Sequence, residues 1–170
     1  LTPANANAHF NVGFICEELG RSQEAEQAFR AALQIDEKMD RAWYGLGLVL
    51  VRQRRFEESL VAFERNTKLQ SMSPYAWYQM ARVHMEMHDP EKALELSQIG
   101  SDSMASLCEK YPERFPTFVG TAPMNHSTGM ASESRRAIEE LGAAGMQIYT
   151  NIKGQPLDHP DFEPFLEYMN

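Results

Sequence analysis

His84 and His88 stand four residues apart in a stretch with helical patterning, which sets both imidazoles on one face at a spacing able to grip a divalent ion. No third ligand lies near them in the chain. His84 also falls where the pattern points inward, so packing accounts for it equally well. Asp158, His159 and Asp161 form a second polar cluster, and Asp158-His159-Pro160-Asp161 reads as the cap of a last helix, with Asp161 ahead of the second proline. His126, Ser127 and Thr128 occupy a loop that comes after a short apolar run. Cys16 and Cys108 are far apart without a metal-type spacing and read as two reduced thiols. Neither a glycine-rich phosphate loop nor a Gly-x-Ser-x-Gly elbow occurs. These groups do not assemble into a catalytic or cofactor signature, so the elements that carry them become the better guide.

Composition narrows the classes. The net charge is -8 and the isoelectric point is near 5.1. An acidic chain is repelled by nucleic acid and by anionic membranes, so neither is an expected partner. The hydrophobic fraction of 43% is enough for a packed core, and the ten methionines, scattered along the chain, read as core filling. No apolar run approaches the roughly 18 residues needed to cross a bilayer. No basic-then-apolar leader is present either. These features lead us to expect a cytoplasmic protein. The chain opens on Leu1 rather than Met, as a piece of a longer protein would.

Shifting the sequence by 34 residues superposes several position classes at once. Trp43 meets Trp77, and Gly13 meets Gly47 and then Ala81. Ala25 meets Ser59 and Ala93; Phe29 meets Phe63 and Ser97; Val12 meets Leu46 and Met80. Small residues suit the close crossing of two paired helices, and rings fill the gaps between successive pairs. The punctuation agrees. It predicts helices over Asn7 to Leu19, closed by Gly20, Ser22 to Ile35, Arg41 to Gln53, and Phe56 to Leu69. Pro74 opens a fifth, and Asp89-Pro90-Glu91 a sixth.

This spacing and these residues resemble the tetratricopeptide repeat family over about residues 6 to 100, most specifically at Trp43, Leu46-Gly47 and Phe63. Ser97 and Gly100 replace larger residues, which signals the end of the array. The resemblance implies a superhelix in which the first helix of each pair lines a concave groove for a peptide. Its lining would be Asn7, Phe10, Phe14 and Glu17, then Arg41, Tyr44, Leu48 and Val51, then Tyr75, Tyr78, Arg82 and Met85. The mixture suits a protein or peptide ligand with apolar anchors. Members that grip a terminal carboxylate use Lys and Asn at places held here by Phe10, Phe14 and Tyr44, so that mode is disfavoured. The alternative is that a further helix of this chain covers the same residues.

Beyond Gly100 the 34-residue register stops. Ser101 to Tyr111 reads as a helix and Pro112 to Pro116 as a turn. Thr117 to Ala122 then reads as a strand, Ser132 to Leu141 as a helix and Gly145 to Thr150 as a second strand, with a last helix near Asp161. Strand, helix, strand suggests a βαβ unit of a parallel sheet. Met104-Ala105, Cys108 to Phe115, Glu140 to Asn151 and Gly154 to Phe165 resemble an internal stretch of the amidohydrolase superfamily, in the branch of aminocarboxymuconate-semialdehyde decarboxylase. That family implies a (β/α)8 barrel with a zinc-class divalent ion. Its His-x-His pair is absent, and none of its metal ligands maps to a position here. In a barrel the loops after strands face the active site, so His126 is the one possible substrate contact in a longer parent.

The expected protein is therefore mainly α. A three-repeat array over 1–100 precedes a short α/β segment over 101–170 that resembles part of a (β/α)8 barrel. It should act as an interaction scaffold rather than an enzyme, without cofactor. The alternative is part of a metal-dependent hydrolase or decarboxylase whose zinc-class ligands lie outside this chain. An artificial composite, a natural fusion cut at both ends, or a tail repurposed to pack against the repeats would each account for the joining.

Overall fold

A computed structural model describes residues 5–70, 74–123, 126–148, 151–152, 155–156 and 158–169. They divide into two compact units, Leu1–Ser71 and Met72–Asn170. The first unit is two antiparallel helix pairs: α1 (Ala6–Glu18) with α2 (Ser22–Ile35), then α3 (Asp40–Arg52) with α4 (Phe56–Leu69). The second opens with a third pair, α5 (Pro74–Glu86) and α6 (Pro90–Lys110). It continues through β1 (Val119–Thr121), α7 (Ser127–Arg135), β2 (Gly145–Gln147), β3 (Asn151–Ile152), β4 (Gln155–Pro156) and α8 (Glu163–Met169).

The helix starts obey capping chemistry. The Asn5 side chain accepts from the amides of Asn7 at 3.0 Å and Ala8 at 3.3 Å. Asp89 accepts from the Lys92 amide at 3.1 Å, with Pro90 as the first helical residue. The turn inside each pair is one repeated device. Gly20, Arg54 and His88 are all left-handed, with φ of 73°, 60° and 61°. The next amide in each turn reaches back five residues, from Arg21 to Cys16, Arg55 to Leu50 and Asp89 to His84, at 2.8 to 2.9 Å. With the left-handed residue's own amide bonded three residues back, to Glu17, Val51 and Met85 in turn, these hydrogen bonds satisfy orphan carbonyls of the helix end. Glycine takes the left-handed state freely; Arg54 and His88 do so against their Cβ.

The core of the first unit gathers Ala25, Phe29, Ala32, Leu33, Ala42, Leu46, Val49 and Leu50. The Phe29 ring is 1% exposed and lies against both first helices: a Cβ added at Gly13 would come within 2.7 Å of it, and one at Gly45 within 2.6 Å. Phe63 fills the equivalent slot of the second pair, against Gly47. The small residues picked out by the register are thus ring seats.

The segment after α6 differs in detail from the sequence-based expectation. α6 is a single helix, so the two helices read over Asp89 to Tyr111 are one; Gly100, Ser101 and Ala105 are buried on it, and neither Gly100 nor the end of the register interrupts it. The first strand shortens to Val119–Thr121. The helix read from Ser132 begins at Ser127, because the His126 ring accepts from the Gly129 amide at 2.9 Å and caps it. It ends in a π turn over Arg136–Glu140. β1 and β2 pair in parallel, Gly120 opposite Met146, so the strand–helix–strand unit is present. Of the second strand's predicted residues, 149 and 150 lie outside the described ones. β3 and β4 pair antiparallel. The cap assigned to Asp161 belongs instead to His159, whose ring accepts from the Asp161 amide at 3.3 Å at the head of a short 3-10 turn. Among the described residues no helix is long and apolar enough to cross a membrane.

Replacing Arg54 or His88 with Gly should raise stability by about 0.5–1 kcal/mol, and Gly20→Ala should lower it by about 1 kcal/mol. Urea unfolding midpoints of the three variants give the comparison.

Candidate functional site

The outward row of α1 and α3 holds the residues assigned to the groove in the first unit. Phe14 is 53% exposed, and Phe10, Tyr44, Leu48 and Val51 are half-buried along the same row. Each pair steadies its row with the ring of its second helix. Phe10 leans on Phe29 and Tyr44 on Phe63, in both cases with ring centres 5.8 Å apart. Arg41 is exposed but held: it donates to the Asn7 side chain, and its guanidinium lies 4.7 Å over the Phe10 ring. Asn7 and Arg41 are equivalent residues of successive pairs, so the row is tied rung to rung.

Glu17 is set apart from the others. It is 8% exposed, and its carboxylate pairs with Arg52, which also donates to the Glu17 carbonyl at 2.9 Å. Arg52 has no counterpart in the sequence reading, which found Glu17 by register alone and had no signal for its partner.

In the second unit Tyr75 is 67% exposed, while Tyr78, Arg82 and Met85 are half-buried. Tyr75 and Tyr78 border a cavity of about 270 Å³ whose far wall is Met104, Val119, Gly120 and Thr121. β1 therefore lines the same cavity as the two tyrosines, together with Gly100, Ser101 and Met104 of α6. Among the described residues no charged side chain lines the cavity.

The charged groups lie mainly on the second helices. Arg55 bridges Glu26 at 2.8 Å and Glu58 at 2.6 Å, and Arg30 reaches both carboxylates. Burial raises the Glu26 carboxyl, but hydrogen bonds from Arg30, Gln53 and Arg55 outweigh it and hold the group below its ordinary value. The Arg55 hydrogen bond does the same to exposed Glu58. In the second unit Glu133 is fully buried, paired with Arg136 at 2.8 Å, and Arg136 also reaches Asp102 at 2.7 Å. These pairs join elements, and Arg30 also lines a shallow pocket with Leu33, Gln34, Glu37, Trp43 and Leu46.

The histidines are locally engaged. His84 Nδ1 faces the Asp89 carboxylate at 3.2 Å, and His88 forms the left-handed turn, so the pair does not act together. His126 Nδ1 accepts from Gly129, which leaves the proton on Nε2 to donate to Glu91 at 3.3 Å. Among the described residues no three His, Cys, Asp or Glu side chains gather as a metal site.

The tetratricopeptide repeat model matches residues 6–38. The chain is 38% identical over 78 residues to 2-amino-3-carboxymuconate-6-semialdehyde decarboxylase of Dictyostelium discoideum, covering 46% of this chain and 21% of that protein. It is 28% identical over 145 residues to Superkiller protein 3 of Schizosaccharomyces pombe, covering 85% of this chain and 10% of that one. The chain thus spans about a fifth and a tenth of these relatives. Among solved structures, the Yersinia enterocolitica type III secretion chaperone SycD in complex with a peptide of the translocator YopD superposes with a TM-score of 0.57 at 14% identity, over 64% of this chain and 84% of that one.

Carboxyls held low by the fold contribute stability above their unfolded values and lose it as pH falls through the folded ones. The unfolding midpoint should therefore drop between about pH 5 and about pH 3. Glu26→Gln should remove part of that drop, read from circular-dichroism melts across the same range. The first helix pair, α1 with α2, thus matches the tetratricopeptide repeat model, and part of the chain is similar to part of 2-amino-3-carboxymuconate-6-semialdehyde decarboxylase.

Proposed function

We propose that this chain is a protein-interaction scaffold whose first helices bind a partner peptide. The observation that carries the reading is the row Phe10, Phe14, Tyr44, Leu48 and Val51, partly exposed and apolar, with Arg41 pinned over Phe10 at its edge. Apolar side chains of an extended or helical ligand would settle between these residues. Asn7 and Arg41 offer the polar contacts that fix register, and Tyr75, Tyr78, Arg82 and Met85 hold the equivalent sequence positions of the third repeat in the second unit. Glu17, committed to Arg52, shapes the row instead of contacting ligand. The likeness to a chaperone holding a translocator peptide supports a peptide as the ligand class. The charge of -8 argues against nucleic acid and anionic membrane, and it suits a cytoplasmic partner. The repeats over 1–100 form the binding region in this reading.

For residues 101–170 we propose an origin in a (β/α)8 barrel. The parallel β1–β2 pair with its crossover helix and the 38% identity to the decarboxylase support it. The donor set does not fit a zinc-class ion, since His84, His126 and His159 each bond within their own turn or to one neighbouring carboxylate. His126 serves as the cap of α7, and no catalytic step is assigned to it.

A panel of immobilised peptides with two or three apolar anchors tests the groove. Phe14→Ala with Tyr44→Ala should weaken binding of the captured peptides at least about tenfold. The exposed Val61→Ala, on α4, should leave it unchanged. Undiminished binding by the double variant, with its fold intact, would remove the groove from consideration.

A further inference from the structure

The outer stripe of α1 has a burial opposite to that of its equivalents. Ala8, Val12 and Ile15 succeed one another at helical spacing and are exposed, Val12 at 52% and Ile15 at 57%. The residues one repeat later are Ala42, Leu46 and Val49, at 0%, 2% and 0%. Two repeats later they are Ala76, Met80 and Val83, at 0%, 5% and 0%. The residue types match, while the burial is inverted.

In the first unit the cover of α3 is visible. α2 delivers Phe29, Ala32 and Leu33 into one buried cluster with Ala42, Leu46 and Val49. It hands over to α3 through only Asp36, Glu37, Lys38 and Met39. A helix that ends a stack presents a polar outer face. α1 presents alanine, valine and isoleucine, continued by Leu19 at 63% exposure. An apolar stripe of this kind marks an interface. The packing of α2 on α3 supplies the geometry of its cover, and the short handover places that cover on the same polypeptide. The match to the Superkiller relative points the same way, since it takes up 85% of this chain but only 10% of that protein.

We propose that Ala8, Val12 and Ile15 seat the second helix of a further tetratricopeptide-type pair carried immediately ahead of α1 on the same polypeptide. That helix meets the stripe as α2 meets α3, with small and aliphatic residues where α2 has Ala32 and Leu33. The inference rests on the repeat fold and is independent of the peptide groove.

The test is the native protein, captured from its source with an antibody to residues 6–100, then weighed intact and sequenced from its N-terminus. A chain heavier than 19.4 kDa, with a helix pair in the 34-residue register upstream of the 170 residues, is the expected result. In that full-length chain Val12→Asp should lower the unfolding midpoint by several degrees, whereas the equally exposed Val61→Asp should not. In the 170-residue chain Val12→Asp should leave the midpoint nearly unmoved. A native chain that begins beside Leu1 would overturn the proposal. So would a longer one that is indifferent to Val12→Asp, which would give the stripe to a second copy or to solvent.

Discussion

The packing of one aromatic ring into a glycine-floored slot sets the geometry of the first two helix pairs. Phe29 can sit 1% exposed between α1 and α3 only because Gly13 and Gly45 carry no side chain. A glycine inside a helix costs about 1 kcal/mol against alanine. Burial of a phenylalanine side chain returns about 1.5–3 kcal/mol, which offsets the roughly 2 kcal/mol that the two glycines cost. The binding row inherits its positions from the same ring. Phe10 leans on Phe29, and Tyr44 stands in the same relation to Phe63. A shift of either buried ring would carry the exposed residues with it.

The third pair departs from this scheme at both the ring and its glycine seat, where Ala81 stands for Gly13 and Gly47. Ser97 stands where Phe29 and Phe63 stand, buried at 3% but without a ring. α6 then continues past the length of α2 and α4 and becomes the support for β1, α7 and β2. Ala105 on α6 packs with Phe118, Ala137 and Ala143. Arg136 donates to the Gln98 carbonyl at 3.2 Å and to Asp102 while neutralising buried Glu133. A buried carboxylate persists only with such a partner. These contacts join α6 to the elements that follow it within the unit 72–170.

How much of this was legible in the sequence depended on whether residue type determined conformation. Phe29, Gly13 and Leu46 declare their roles by size and spacing, and α2 and α4 were readable to the residue. Gly20 declares a left-handed turn because glycine favours one. Arg54 and His88 occupy the same turn in disguise, since neither type advertises a positive φ. For that reason His88 looked like half of a metal pair. The caps at His126 and His159 were hidden likewise, because histidine accepts a backbone amide only in one tautomer and is rarely read as a cap. Gly45 lies off the Gly13–Gly47 register, and only the position of Phe29 reveals its purpose. Arg52 was invisible for another reason: its link to Glu17 joins residues of different helix positions, and no periodicity encodes it.

The row's polar groups decide what sort of ligand suits it. A site that grips a terminal carboxylate needs unengaged donors converging on one point. Here Arg41 is already bound to Asn7 and stacked on Phe10, and Arg52 is spent on Glu17. Arg55 and Arg30 are absorbed by Glu26 and Glu58 on the second helices. The apolar part of the surface along α1 and α3 is ring and aliphatic, and its attraction is proportional to the apolar area it removes from water and indifferent to the end of a chain. On the proposed function, recognition therefore falls on internal apolar side chains of the partner. Specificity then comes from their spacing, which the 34-residue step of the helix pairs sets in advance.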